Sequence, residues 1–129
     1  VHLIGDLHQP LHVGNGKDRG GNDVRLKWFG NSTNLHRLWD TELIDYQQLS
    51  YTEYAHYLKL NEDRGKIREW QADSLLTYVH ESRDLRKQCY NFKSDELKWE
   101  YFYANKNLLE TRLLQGGVRL SGELNRIFK

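Results

Sequence analysis

Apolar residues recur at helical spacing from the first position of the chain. Val1, Ile4 and Gly5, then His8 and Leu11-His12, share one face and predict a helix over residues 1–13. Pro10 removes a donor and clashes one turn back, so it is expected to kink or end that helix. Residues 14–23 hold four Gly and two Asn and predict a loop with unusual backbone angles. Residues 24–29 alternate Val, Leu and Trp with Arg and Lys. They predict a short strand in a β-hairpin over residues 24–33, turning at Gly30-Asn31. A helix is expected over residues 34–46, with Leu35, Leu38, Trp39 and Leu43 on one side.

The remainder reads as helical. Ser50-Tyr51-Thr52-Glu53 is a capping box that opens a helix running through Leu58. Ile67 to Trp70 is too short to assign. Residues 72–89 predict a helix with Leu75, Leu76 and Val79 inward. Ser94 is expected to cap an aromatic helix containing Trp99, Tyr101, Phe102 and Tyr103, with the aromatics in the core. A last helix is expected over residues 108–128, with Leu109, Leu113, Leu120, Leu124 and Ile127 inward. Gly116-Gly117 interrupt it, and two such glycines cost about 1 kcal/mol each relative to Ala, which points to a kink or close packing. The fold class is mainly α, one domain or part of one, without internal repeats or linkers.

Composition narrows the class. The chain has 129 residues, four Trp, eight Tyr and 38% hydrophobic residues, which is ordinary globular material for one domain. No apolar run approaches the ~18 residues of a membrane span, so no membrane partner is expected. Val1-His2-Leu3-Ile4 lacks the basic start and length of a signal peptide. A net charge of +1 excludes nucleic-acid binding by bulk charge, so any such affinity must come from a local site. The single Cys89 excludes an intrachain disulfide and reads as a buried, inert thiol. Helical spacing already running at Val1, with no cap before it, suggests a sequence that begins inside an element.

The candidate chemistry lies in the first forty residues. Four of the six His precede residue 37: His2, His8, His12 and His36. His2 and Asp6 stand four apart, as do His36 and Asp40, a spacing that aims both side chains of a helix at one point. His12, just past Pro10, is placed to meet the His36/Asp40 pair from the side. Two imidazoles and a carboxylate leave a position open for water, the coordination of a catalytic zinc rather than a closed thiolate site. Taken singly, each His-x-x-x-Asp is an ordinary surface ion pair, His8 is structural and the glycine loop is a turn. Their coincidence in one short stretch gives the metal reading its weight.

The run His2-Leu3-Ile4-Gly5-Asp6-Leu7-His8-Gln9-Pro10-Leu11-His12 closely resembles a signature of the nuclease S-one / nuclease P-one family of trinuclear zinc nucleases. Asp18-Arg19-Gly20-Gly21-Asn22 and Asn34-Leu35-His36-Arg37-Leu38-Trp39-Asp40 resemble it too, in the same order and spacing. Gly117-Val118-Arg119-Leu120 with Leu124-Asn125 is similar to the family's final helix, and residues 46–54 are similar to bacterial members. The likeness is specific over residues 2–45, looser through Tyr57 and thin to about residue 107.

The resemblance implies a mainly α fold shared with bacterial zinc phospholipase C. It implies hydrolysis of single-stranded DNA and RNA to nucleoside 5′-monophosphates, with 3′-phosphate removal in many members. His2 and Asp6 match ligands of a buried zinc pair, with Asp6 the bridging, catalytic carboxylate. His12, His36 and Asp40 match the whole protein ligand set of a third zinc, and Asn22 with Gly21 matches a substrate-contacting turn. Three zinc ions are implied in the complete family enzyme and one complete site in this chain.

Family members also carry a terminal Trp, further His ligands, a catalytic Asp and a base pocket ahead of this motif. None of these matches here, so the chain is expected to be the C-terminal half of such an enzyme, weakly active or inactive alone. The parent is expected to be secreted or periplasmic. His56 and His80 match no ligand and read as structural or surface. Two other readings stand beside the nuclease: a zinc phospholipase C, whose pattern places Glu where Asp40 stands, and a non-catalytic metal-binding remnant.

Overall fold

The computed structural model describes residues 1–60 and 63–129 and is mainly α, as expected. Among these residues there are six helices and one small sheet. Helix α1 spans His2–His8. It stops short of the expected residue 13 because Gln9 turns extended (φ −89°, ψ 114°) ahead of Pro10, whose missing donor and neighbouring clash forbid another turn. His12 therefore stands outside the helix.

Strands β1 (Arg25–Trp28) and β2 (Asn31–Asn34) pair antiparallel, with Trp28 opposite Asn31. The hairpin turn is thus Phe29-Gly30, not the expected Gly30-Asn31. Both turn residues have positive φ, 48° and 82°, as a two-residue turn requires to match strand twist. A third strand, β3 (Glu96–Leu97), joins the other edge of β1 in parallel, giving the order β2-β1-β3. It was not expected, because two residues are too few to show alternation.

Helix α2 covers residues 35–45 without a gap, but its middle is a π turn, Leu38–Glu42, closed by the Leu43 N–H on the Leu38 carbonyl. Asn34 caps its start by accepting from the Arg37 N–H at 2.9 Å. Leu35, Leu38, Trp39 and Leu43 are buried on one side, as expected. Helix α3 (Tyr51–Lys59) opens on the expected capping box, with both the Ser50 and Glu53 arms formed. Helix α4 (Arg64–Ala72), left unassigned in the sequence, fully buries none of its own residues; its apolar side is the half-buried pair Ile67 and Trp70, too short a stripe to read.

Helix α5 (Leu75–Cys89) is capped by Ser74 and turns Tyr78, Ser82 and Cys89 inward. Leu75 and Leu76, expected inside, are exposed. Helix α6 runs unbroken from Trp99 to Ile127, 29 residues and about 43 Å. This replaces the two helices expected there. Ser94 spends its hydroxyl on the Glu96 N–H, and the helix starts after Lys98. Gly116-Gly117 do not interrupt α6. A Cβ on Gly116 would stand 3.4 Å from the His8 ring, so the missing side chain lets α1 lie close against α6. Tyr101 and Phe102 are core, but Trp99 and Tyr103 are exposed, as are Leu124 and Ile127 at the far end.

The core gathers Leu11 from the turn after α1, Trp28 and Leu97 from the sheet, Leu35, Trp39 and Leu43 from α2, Cys89 from α5, and Phe102 and Leu109 from α6. At its centre Trp39 Nε1 donates to the Tyr101 hydroxyl (2.9 Å), which donates on to the Cys89 carbonyl (2.5 Å). Cys89 is fully buried, and burial pushes its thiol up to about 12, as befits an inert thiol.

Candidate metal centre

His12, His36 and Asp40 each offer an atom to one cluster in which all three atoms lie within 4.8 Å of one another. The buried Leu35, Leu38 and Trp39 fix the roll of α2 and so put His36 and Asp40 on its opposite, accessible side. His36 Nε2 lies 3.1 Å from Asp40 Oδ2, and His12 Nε2 lies 3.3 Å from Asp40 Oδ1. The two imidazoles stack with centroids 4.9 Å apart and planes 4° from parallel. Three protein side chains thus converge from two separate segments, the turn after α1 and the start of α2, where His36 lies one turn ahead of Asp40 in the π turn. Single π turns inside helices occur frequently at functional sites.

The far nitrogen of each ring is also held. His36 Nδ1 faces the Gly20 carbonyl at 2.9 Å, and His12 Nδ1 faces Asp6 Oδ1 at 3.2 Å. A backbone carbonyl and a carboxylate are the partners that fix metal-binding histidines, leaving Nε2 to the ion. Asp6 Oδ2 in turn meets His2 Nε2 at 3.1 Å. Asp6 therefore joins both His-x-x-x-Asp pairs into one chain of contacts, His2–Asp6–His12–Asp40–His36. His2 stands at the exposed end of it, its side chain 93% accessible.

The glycine loop serves this arrangement. Gly20 and Gly21 have φ of 65° and 86°. A Cβ on Gly20 would lie 2.4 Å from the Leu11 carbonyl, a distance no real side chain adopts. Asp18 organises the turn, accepting from the Gly21 N–H (3.1 Å) and the Tyr90 hydroxyl (2.7 Å). Gly21 is buried against Leu35. Asn22 follows it, with one amide hydrogen already donated to the Arg19 carbonyl at 3.0 Å.

Behind the cluster, Arg112 and Arg119 of α6 are buried against the end of α1. Arg112 Nε donates to the His8 carbonyl (3.1 Å), and Ser82 of α5 donates to the Leu7 carbonyl (2.6 Å). These bonds satisfy carbonyls that the end of a helix leaves unpaired. His8 is structural, as expected: it lies behind the cluster and takes no part in it. Burial, with the nearby Arg112 and Arg119 charges adding to it, lowers its pKa to about 4. Nothing in the spacing of Arg112, Arg119 or Gln9 singles them out. His56 and His80 are exposed on α3 and α5 and join no such cluster among the described residues.

A cleft of about 560 Å³ opens beside the cluster, with His2, Asp6, His12 and Asp40 at its polar end. Ile44, Leu113 and Leu120 form its apolar wall.

The model of the family described as S1/P1 Nuclease matches residues 1–129. The chain belongs to the S1/P1 nuclease family. It is similar to Endonuclease 2 of Arabidopsis thaliana, 34% identical over 98% of this chain and 49% of that protein. Endonuclease 3 of the same plant is 36% identical over 98% and 49%. Nuclease S1 of Aspergillus oryzae is 30% identical over 98% and 52%. The chain thus spans about half the length of the curated S1/P1 relatives it matches.

Proposed function

We propose that this chain carries the metal-binding half of a zinc-dependent phosphodiesterase that hydrolyses single-stranded DNA and RNA to 5′-nucleotides. One observation carries the reading: two imidazoles and a carboxylate face one point while both far ring nitrogens are independently held. The donor set is that of an open zinc site, N, N and O without thiolate, and it fits the ion. Zinc there supplies Lewis-acid stabilisation of the charge that builds on phosphorus during hydrolysis.

The remaining roles belong to the chain. His12, His36 and Asp40 hold one ion. His2 and Asp6 would contribute to a second location, that of a buried zinc pair, with Asp6 as its catalytic carboxylate. An exposed imidazole and one carboxylate hold a cation weakly, so we read this second location as needing ligands from elsewhere in the protein. Asn22 presents an amide to a substrate phosphate, and Gly21 shapes the turn from which it does so. Residues 1–129 form the C-terminal part of one zinc nuclease domain, whose other half is its partner and whose parent is secreted or periplasmic. The names of the similar proteins, endonucleases and Nuclease S1, support nuclease over phospholipase. Among the described residues no helix is long and apolar enough to cross a membrane.

The test compares the chain with His36→Ala after dialysis against zinc-free buffer. Zinc retained by the first and lost by the second supports the site, because two ligands cannot complete the shell. Equal zinc in both would remove the assignment. Nucleotide release from single-stranded DNA by the complete enzyme, abolished by Asp6→Asn, tests the chemistry; the chain alone should release little. Release that survives Asp6→Asn would remove Asp6 from the reaction.

A further inference from the structure

We infer that Gln9 is the positioning residue for Asp40, an assignment that rests on the metal reading above. Gln9 sits where α1 ends, its backbone N–H on the Asp6 carbonyl (3.1 Å) and its own carbonyl accepting from the His12 N–H (3.0 Å). Its side chain spans the gap between the two segments of the cluster. Oε1 accepts from the Leu11 N–H at 2.5 Å, and Nε2 donates to Asp40 Oδ1 at 2.8 Å.

The first of these bonds fixes the second. A backbone N–H can only donate, so it must face the amide oxygen, and the NH₂ group is then the one turned to Asp40. The carboxylate it meets is otherwise poorly restrained. Asp40 lies on the accessible side of a π turn, and its other side-chain partners among the described residues are His12 and His36. Once both imidazoles direct their lone pairs to a cation, Gln9 is the one described donor left to Asp40. It holds Oδ1 and leaves Oδ2, beside His36 Nε2, to the ion. A neutral amide suits this task, because Lys or Arg at the same place would compete with the cation for the carboxylate charge. Gln9 also accepts the His12 N–H on its backbone carbonyl, so the same residue ties down the backbone of a second cluster member.

Cobalt(II) bound to the full chain is the probe, because its visible absorption reports coordination geometry as well as occupancy. Gln9→Met removes the donor at nearly constant volume. The expected result is a loss of 10–100-fold in cobalt affinity with an altered band, at unchanged metal-free helicity, the range typical of lost outer-shell partners. In an Asp40→Asn background the same substitution should have little further effect, since the partner it acts through has changed. Gln9→Glu keeps the acceptor for Leu11, and so the turn, while replacing the donor; it too should alter the band. An unchanged affinity and band in either folded variant overturns the assignment. An equal loss with and without Asp40→Asn does the same, since it would mean a structural role only. Wild-type chain that takes up no cobalt, or His36→Ala that binds it as tightly, overturns the metal reading and the role of Gln9 with it.

Discussion

Arg119 donates to the Nε2 atom of His8 at 2.9 Å with both side chains buried. Arginine has no acceptor, so Nε2 must accept and Nδ1 must carry the proton, donating it to the Ile4 carbonyl at 2.7 Å. The imidazole is thereby neutral and its tautomer fixed. The same guanidinium meets Glu81 and Asp73 and lies 4.3 Å from the centre of the Tyr78 ring. This network joins α1, α5 and α6 directly behind the candidate metal centre.

Arg119→Leu would leave Asp73 without its cation, Glu81 with Arg112 alone, and His8 without its donor. Removing one partner of a buried pair destabilises by about 3–5 kcal/mol. The midpoint of urea unfolding should fall accordingly. A change under about 1 kcal/mol would show that the network is energetically slack.

Stability should fall in acid. Burial raises Glu81, but its hydrogen bonds to Arg119 and Arg112 outweigh that and leave it below its usual range. A carboxylate depressed in the folded state stabilises above its unfolded pKa, and the contribution is lost as pH drops through the folded value. His8 acts in the same direction: at about 4 folded against 6.5 unfolded, it takes up a proton in the unfolded chain first. Metal-free chain should therefore melt lower with each step from pH 6.5 toward pH 4, by roughly 3 kcal/mol from His8 alone. His8→Gln should flatten the upper part of that slope. A melting temperature constant over the range would contradict both contributions.

Gly20→Ala should weaken zinc binding as well as the fold. The new Cβ enters a left-handed conformation and meets the Leu11 carbonyl, and the Gly20 carbonyl it displaces is the partner of His36 Nδ1. The strain alone is on the order of 1–3 kcal/mol. Gly16→Ala is the control, since Gly16 also has positive φ (75°) but nothing within 4 Å of its Cβ position. Calorimetric zinc titration should separate the two, with a large affinity loss only for Gly20→Ala. Equal zinc affinity in both variants would mean the Gly20 carbonyl does not orient His36.

In the complete enzyme, Asn22→Ala should lower turnover on single-stranded DNA while zinc content stays normal. The bond from Asn22 to the Arg19 carbonyl also holds the turn, and a loss of about 0.5–1.5 kcal/mol in stability is expected from it. Activity lost only in proportion to stability or zinc would reduce Asn22 to that structural role.

Local features of the fold were legible in the sequence because they depend on neighbours a few residues away. The Ser50/Glu53 capping box, the hairpin, the break before Pro10 and the roll of α2 all follow from short-range bonding and periodicity. So did the pairing of His36 with Asp40, which one helix face enforces. What tertiary structure decided lay across long sequence distances. Helical propensity cannot show that α6 stays unbroken at Gly116, because the reason is the His8 ring more than a hundred residues earlier in the chain. Periodicity alone turned Leu75 and Leu76 inward, yet α5 buries Ser82 instead, since the end of α1 and Arg112 both need its hydroxyl. Gln9 reaches Asp40 across thirty-one positions of sequence. The sequence supplies the candidate ligand types and their local spacing. Their convergence, and the donors that aim them, came only from tertiary packing: α1 is seated on α5 and α6 through Ile4 and His8, α2 on the core through Leu35, Leu38 and Trp39, and this brings the turn after α1 against the accessible side of α2.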